Sequence, residues 1–282
     1  MIIVGMKGGL GNQMFEYALA YKIRKMGKEV YLDNYLFEHG IEKRPFELDL
    51  FPNIEYKIST EVLNEKLRGK YESLIQKSLR MLNIRPKYYR EVFHGYKKKV
   101  LTWDNKYIDG YWQTEKYIQD IREDILNVFS FPELQGEKNI DIAKRIVEGN
   151  SVSIHVRRGD YMNNIARYGN LGEGQYYDDA IRYIESTVEN PMFYVFSDDV
   201  EWAEKRFNKS NYTVVDNKNT GKFSYVDMQL MSCCKHNIIA NSSFSWWAAW
   251  LNRNENKVVV APSAWERNKK VKDIYCKEWK VI

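Results

Sequence analysis

Residues 151–161, SVSIHVRRGDY, have the types and spacing that most clearly point to chemistry. Apolar and polar residues alternate up to Val156, as in a β-strand, and Arg157 and Arg158 follow at once. Each guanidinium carries donors in a planar fork that matches phosphate oxygens. Because ligands of open α/β sheets bind beyond the strands' carboxyl ends, the pair predicts a clamp for a phosphorylated ligand. The alternative is a surface ion pair between Arg158 and Asp160 that closes a turn.

A glycine-rich loop near the N-terminus, KGGLGNQ, separates a predicted strand from a predicted helix. Gly9 and Gly11 let the backbone approach a ligand closely, and the amides at a helix start favour an anion. The spacing matches neither the dinucleotide fingerprint nor a P-loop. The alternative is a tight turn in which Asn12 caps the helix.

Two more polar segments follow predicted strands in the second half. FSDD places Asp198 and Asp199 where a carboxylate binds a guanine edge, holds a ribose hydroxyl, or only caps the next helix. In ANSSFSWWAAWL, Asn241 is followed by Ser242 and Ser243 at a helix start, a position that favours phosphate. We expect the tryptophans of this helix to pack in the core while the serines face the ligand.

The segment GYWQTEKY in the first half has two readings. Tyr111 and Trp112 either stack on a sugar, with Gln113 bonding its hydroxyls, or form a core aromatic pair. The sequence has no DxD motif, histidine pair or cysteine spacing typical of a metal site. We therefore expect no metal, and a bound diphosphate must be neutralised by arginines and helix termini.

The elements that position these motifs form two α/β halves. The first half begins β-α-β, is irregular and partly helical over 38–99, and continues with a strand at 107–112 and helices at 114–128 and 141–148. In the second half the pattern predicts strands at 152–156, 193–196, 213–215, 237–240 and 258–261, and helices at 175–187, 200–207, 224–233 and 244–251. This alternation predicts parallel sheets covered on both faces, with a ligand cleft between the halves.

Composition and charge limit the class of protein. Of the 282 residues 44% are hydrophobic, enough for two cores, and no apolar run approaches the length of a membrane span. The three cysteines, Cys233, Cys234 and Cys276, form no disulfide framework, so we expect a reducing cytoplasm.

The segment from Lys66 to Lys99 concentrates positive charge. It holds eleven lysines and arginines against Glu72 and Glu91, about +9 in a chain whose net charge is +5. It either lies on an anionic membrane surface, binds nucleic acid, or is a solvated helix with an apolar core face. We expect peripheral contact with the inner membrane and no nucleic acid, because the overall charge is modest.

Taken in order over nearly the whole chain, GGLGNQMFEYALA, SIHVRRGDY, FSDD and ANSSFSWWAAWL resemble the α-1,2-fucosyltransferases of glycosyltransferase family 11. The HxRRGD segment is also similar to one shared by α-1,6- and protein O-fucosyltransferases. The resemblance implies a GT-B-like α/β fold of two facing Rossmann-like domains. Residues 1–148 would form the acceptor-side domain, and residues 149–282 the domain that binds GDP-fucose.

The resemblance also implies an activity. This is inverting, metal-independent transfer of L-fucose from GDP-β-L-fucose to O2 of a terminal β-galactoside, without a cofactor. The expected acceptor is a galactose-terminated glycan, carried on a lipid during synthesis of a surface polysaccharide or O-antigen. The alternatives are a GDP-sugar transferase of different linkage, or a non-catalytic relative that binds a GDP-sugar or glycan.

Most site residues follow from the same resemblance. The resemblance implies that Arg157 is catalytic, and we add Arg158 and Asp160 of the same motif as candidate catalytic residues. The implied donor-binding residues are Gly9, Gly11, Asn12, His155, Arg157, Asp198, Asp199, Asn241, Ser242, Ser243 and Phe244. The candidate acceptor-binding residues come from the segments themselves and not from the resemblance, and they are Glu16, Trp112 and Gln113.

One departure from the family pattern is Glu16, where the loop often has glutamine. This is either a surface change or an extra carboxylate near the acceptor. The reaction either uses a general base or is dissociative without one, and the candidate bases are Glu16, Asp33, Asp109 and Asp160.

Overall fold

The computed structural model describes residues 1–71, 73–84, 86–92, 95–267, 271 and 273–282, with the Asp160 side chain outside this description. The chain divides into two compact units. Unit 1 is Met1–Pro132 with Lys272–Ile274, and unit 2 is Glu133–Val271 with Tyr275–Ile282. The division falls before the expected boundary at 148, because the helix that ends there packs against unit 2.

Unit 1 contains a four-stranded parallel sheet in the order β2-β1-β4-β3. Its strands are β1 (Ile2–Gly5), β2 (Val30–Asp33), β3 (Tyr88–Arg90) and β4 (Lys106–Asp109). Its helices are α1 (Leu10–Lys25), α2 (Tyr35–Glu38), α3 (Glu61–Arg68), α4 (Leu74–Met81) and α5 (Arg122–Val128). The central strand β1 is buried throughout, as expected for an apolar run covered on both faces. Strand order reverses between β1 and β4.

Unit 2 contains a six-stranded parallel sheet in the order β10-β9-β8-β5-β6-β7. Its strands are β5 (Ser151–Val156), β6 (Met192–Ser197), β7 (Tyr212–Val214), β8 (His236–Ile238), β9 (Val259–Ala261) and β10 (Lys280–Val281). Its helices are α6 (Glu137–Glu148), α7 (Gly159–Met162), α8 (Ile165–Tyr168), α9 (Tyr176–Thr187), α10 (Val200–Arg206), α11 (Tyr225–Cys233) and α12 (Ser243–Leu251).

The strand order of unit 2 is that of the Rossmann fold, and it reverses between β5 and β8. Beyond the carboxyl ends of these two strands lies the topological switch point, where open α/β sheets bind ligands. Trp246, Trp247 and Trp250 of α12 are almost fully buried, which confirms that they pack in the core. None of the described helices has the length and apolar composition needed to cross a bilayer.

Three predicted elements differ from the observed ones. The single helix predicted over 114–128 is wrong, because Ile118 leaves helical geometry between two 3₁₀ turns that precede α5. The helix predicted over 141–148 starts four residues earlier, because α6 begins after Gly136, which has φ 86°. The stretch over 38–99 contains α3 and α4, which confirms that it is partly helical, but it also contains the edge strand β3, which was not predicted.

Candidate active site

At the switch point of unit 2, Arg157 directly follows β5. Its NH1 lies 3.1 Å from Asp198 Oδ2, and both side chains are about one quarter exposed. Asp198 Oδ1 accepts the backbone N–H groups of Arg158 and Gly159 at 2.7 and 3.0 Å. Asp198 therefore fixes the turn after the strand and orients Arg157, whose guanidinium group keeps a solvent-facing side.

The neighbouring Arg158 has a different environment and is only 11% exposed. Its Nε donates to Asp199 Oδ2 at 3.0 Å, and its guanidinium carbon lies 4.4 Å from the centre of the Trp202 ring. Asp199 Oδ1 also accepts the Trp202 backbone N–H at 3.2 Å and caps α10, which confirms the capping interpretation of this residue. The carboxylate that accepts the hydrogen bond of Arg158 is therefore Asp199, with Glu173 at 3.9 Å, while Asp160 lies outside the described side chains.

The start of α12 supplies the second half of this site. Ser242 Oγ accepts the Phe244 backbone N–H at 3.3 Å and caps the helix, while Ser243 and Phe244 are partly exposed. Asn241 Nδ2 donates to the carbonyls of Tyr168 and Trp265, so its amide orders flanking loops. The helix dipole adds partial positive charge at this end.

His155, in β5, lies inside the same site, with its ring centre 5.7 Å from that of Phe244. Burial, together with the charge of Arg157, lowers its pKa to about 4, so the imidazole is neutral at physiological pH. Its Nδ1 is buried and has no hydrogen-bond partner in the described part of the chain. An unsatisfied buried nitrogen is costly, which is a reason to expect a ligand there.

In unit 1 the equivalent strand ends hold a network of charges. Lys7 Nζ forms an ion pair with Asp109 Oδ1, and the Tyr88 hydroxyl donates to Asp109 Oδ2 at 2.5 Å. Burial acts to raise the pKa of Asp109, but the charge and hydrogen bond of Lys7, with the bond from Tyr88, outweigh it and hold that pKa below its usual range. Asp109 is therefore an ionised carboxylate, and it remains one quarter exposed.

Glu16 belongs to this network but is fully buried, so its interpretation as a surface change is wrong. Its Oε2 accepts the Lys7 backbone N–H at 3.0 Å, and Oε1 has no hydrogen-bond partner among the described atoms. Burial raises the pKa of Glu16 well above its ordinary value. Its assignment to acceptor binding stays a prediction, and the contact described for its carboxylate is with the backbone of Lys7.

Asp33, another candidate base, is 4% exposed and serves as a structural anchor. Its Oδ2 accepts from Arg68 Nε at 3.1 Å and from the Tyr107 hydroxyl at 2.8 Å. Arg68 is itself buried and also bonds Glu61 at 2.9 Å. This environment leaves Asp33 no solvent-facing surface with which to meet a substrate.

The glycine loop is shaped for close approach, since Gly8 has φ 76°. The Gly8 N–H donates to Glu42 Oε2 at 2.8 Å. Gly9 is the N-cap of α1 and is partly exposed. Asn12 lies inside the first turn and accepts from Gln113 Nε2 at 2.8 Å, so the interpretation of Asn12 as a helix cap is wrong. Gly11 is buried.

Trp112 is 2% exposed and packs against Tyr89 and Tyr117, as the core interpretation of the aromatic pair predicts. Its backbone has φ 56°, which is unusual for a bulky residue. Glu91 Oε2 accepts the backbone N–H groups of both Tyr111 and Trp112, which holds this turn. Tyr111 remains partly exposed beside Lys7, whose Nζ lies 4.9 Å from the ring centre.

Sequence reasoning missed Lys7, Tyr88 and Trp202 as site residues. Lys7 could have been found, because it lies two residues beyond a buried strand and begins the glycine loop. Among the described residues, no group of three or more His, Cys, Asp or Glu side chains is placed to hold a metal ion. Metal independence nevertheless stays a prediction.

Comparison with known proteins gives the family. Residues 1–282 match the model of Glycosyl transferase family 11. The chain is 37% identical over 283 residues to the O-antigen biosynthesis glycosyltransferase WbnK of Escherichia coli, covering 92% of this chain and 93% of that protein. It is 35% identical over 285 residues to an α-1,2-colitosyltransferase of Escherichia coli, covering 94% and 92%.

More distant similarity extends to animal and plant proteins. A galactoside 2-alpha-L-fucosyltransferase, SEC1 of Bos taurus, is 25% identical over 257 residues, covering 88% of this chain and 63% of that protein. A solved structure of an Arabidopsis thaliana FUT1 mutant in complex with GDP superposes with a TM-score of 0.51 at 13% identity, covering 92% of this chain and 69% of that one. This likeness concerns the fold, and it confirms the predicted α/β class of GT-B type. The chain belongs to glycosyltransferase family 11.

Proposed function

We propose that this protein transfers L-fucose from GDP-β-L-fucose to O2 of a terminal β-galactoside, with inversion and without a metal ion. The observation that carries the proposal is the switch-point site of unit 2. There, Arg157 and the N-terminus of α12 place positive charge beyond adjacent parallel strands. This arrangement suits a nucleoside diphosphate sugar.

The reaction breaks the bond between fucose C1 and the β-phosphate oxygen and forms a bond from C1 to the galactose hydroxyl oxygen. Positive charge develops on the sugar ring, and negative charge develops on the departing GDP. Arg157 is directed at the diphosphate by Asp198, so it stabilises the leaving group without a large reorganisation. The imidazole of His155 is neutral, so it offers the donor substrate a hydrogen bond and carries no positive charge that would compete with Arg157 for the diphosphate.

For the acceptor we propose the strand ends of unit 1. Of the candidate bases whose side chains are described, Asp109 is ionised and partly exposed, whereas Glu16 and Asp33 are buried. Asp109 and Lys7 form an acceptor and a donor for sugar hydroxyls beside the partly exposed ring of Tyr111. Since its pKa is low, Asp109 orients the attacking hydroxyl more effectively than it removes a proton before attack.

A second donor deserves a direct comparison, because one relative is described as an α-1,2-colitosyltransferase. Colitose lacks the 3-hydroxyl group of fucose. A donor site that hydrogen-bonds this hydroxyl rejects the deoxy sugar strongly, while an apolar surface there accepts both sugars. The setting in both cases is synthesis of a surface polysaccharide or O-antigen, in which the acceptor glycan is carried on a lipid.

The test measures kcat/KM for GDP-fucose and GDP-colitose with a methyl β-galactoside acceptor in the presence of EDTA. We expect acceptor-dependent GDP release, with NMR of the product showing an α-linkage at O2. A strong preference for GDP-colitose would show that colitose, and not fucose, is the transferred sugar. A β-linked product would contradict inversion, and activity abolished by EDTA and restored by a divalent ion would contradict metal independence.

A further inference from the structure

The helix α4 is amphipathic, but its apolar face is exposed to solvent, whereas such a face is usually buried. Leu74 and Ile75 are 78% and 73% exposed. Met81 and Leu82, two turns later, are 58% and 68% exposed. At about 100° per residue these positions share one face with the exposed Ser78, so the apolar side of this helix is turned to solvent.

The opposite face carries the buried side chain of Arg80. Its NH1 donates to the carbonyls of Arg68 and Lys70 at 3.3 and 3.0 Å, and NH2 donates to the Tyr71 carbonyl at 3.0 Å. Its guanidinium carbon lies 5.1 Å from the centre of the Tyr71 ring. These bonds fix the rotation of α4, so the exposure of the apolar face is built into the fold.

Exposed lysines accompany this apolar face along the chain. Arg68 and Arg80 are buried and bonded within the unit, so they do not supply surface charge. The exposed lysines that lie close to α4 in sequence or on it are Lys66, Lys70, Lys77 and Lys87. Of these lysines, Lys77 lies on α4 itself and the others are near it in sequence; they and the apolar face of α4 are together called the α4 surface below.

We propose that the α4 surface docks the protein on an anionic lipid bilayer. The helix lies in the plane of the interface, with Leu74, Ile75, Met81 and Leu82 at the boundary between headgroups and acyl chains. The lysines then meet anionic headgroups. A second copy of the chain is a poorer partner, because it would bring the same positive charge against itself. This proposal does not depend on the transferase activity.

The experiment is flotation of the full-length protein with vesicles. One set contains phosphatidylglycerol and phosphatidylethanolamine, and the other contains phosphatidylcholine alone. We expect binding to the anionic vesicles only. The double variant Leu74→Gln/Ile75→Gln should weaken binding at least about tenfold, because it removes buried apolar surface. Lys70→Glu/Lys77→Glu should weaken it at least about twentyfold at low salt.

The matched control is Val147→Gln, which changes an exposed apolar side chain on α6 of unit 2. It should bind anionic vesicles like the unchanged protein. All variants should keep the melting temperature and the activity toward a soluble galactoside, so that loss of binding is separated from misfolding.

Three results would overturn the proposal. The first is no binding to either kind of vesicle. The second is binding that the lysine variant loses but the apolar variant keeps, since the apolar face would then make no contact. The third is self-association in solution that the apolar variant abolishes while vesicles have no effect, which would make a second copy the partner.

Discussion

The two units use charge differently at the same place in their folds, the carboxyl ends of their parallel strands. In unit 1, Asp33 and Arg68 are sealed inside the protein, and the Asp109 carboxylate is bonded by Lys7 and Tyr88. In unit 2, Arg157 is held by a carboxylate from one side and stays partly open, beside the start of a helix.

The difference indicates what each unit can bind. Unit 2 presents partial and full positive charges, which suits the diphosphate of a nucleotide sugar. Unit 1 presents paired charges of both signs, which suits hydroxyl groups of a neutral sugar. If this comparison holds, substitutions in the buried pairs should affect stability, and substitution of Arg157 should affect chemistry.

The largest expected effect is on stability, from Arg68→Ala in unit 1. The substitution leaves the buried Asp33 carboxylate without its guanidinium partner, and breaking such a pair costs about 3–5 kcal/mol. Urea unfolding of both proteins measures the change. The control is Arg182→Ala, which removes an exposed ion pair with Asp179 and should cost less than about 1 kcal/mol. Equal effects of the two would show that the Arg68 pair is not stabilising.

Next is Arg157→Ala in unit 2, which should lower kcat/KM about a hundredfold to a thousandfold, because it removes a donor to the leaving diphosphate. Arg157→Lys should recover only part of the loss, since it keeps the charge but lacks the planar fork. Initial rates of GDP release measure both. Unfolding should change little, and a variant as active as Arg182→Ala would contradict the assignment.

Arg158→Ala should show the reverse pattern, with a loss of about 1–3 kcal/mol in unfolding free energy. The substitution removes the ion-pair partner of Asp199 and the guanidinium group that packs over the Trp202 ring. The remaining folded enzyme should bind GDP within a few fold of the unchanged protein. Calorimetric titration with GDP and urea unfolding separate the two effects. A stable variant without GDP affinity would show that Arg158, like Arg157, contacts the ligand.

The smallest effects concern pH, where two buried groups should act in opposite directions. Glu16 has a raised pKa, so its contribution to stability is present below about pH 4.5 and is lost as the pH rises toward its folded pKa. His155 has a pKa of about 4, so its contribution is present above about pH 6.5 and is lost as the pH falls.

Glu16→Gln should therefore gain stability relative to the unchanged protein as the pH rises from about 4.5 to 7. In His155→Gln, the free energy of unfolding should no longer show the decline that His155 causes in the unchanged protein as the pH falls from about 6.5 to 4. Urea unfolding at several pH values measures both differences. Parallel curves for all three proteins would show that neither group has a shifted pKa.

Sequence reasoning located the strand ends of unit 2 because the motifs there are local. The strand before Arg157, the cap at Asp199 and the start of α12 all follow from short-range patterns. It did not separate Arg157 from Arg158, because the Trp202 ring that covers Arg158 comes from a different part of the chain.

The charge network of unit 1 could not be predicted from the sequence for the same reason. Lys7 and Asp109 are far apart in sequence, and they meet only because β1 and β4 are neighbours in the sheet. The edge strands β3 and β10, three and two residues long, carry too little pattern to be predicted. The burial of Arg80 on α4 could not be predicted either, because it depends on the backbone carbonyls that accept its hydrogen bonds.

The most direct test of the central claim is acceptor-dependent GDP release from GDP-fucose in EDTA, beside calorimetric GDP binding, for the unchanged protein, Arg157→Ala and Arg182→Ala. The account predicts release by the unchanged protein and by Arg182→Ala, and loss of about a hundredfold or more in Arg157→Ala with its fold intact. A protein that binds no GDP, or an Arg157→Ala variant with full activity, would contradict it.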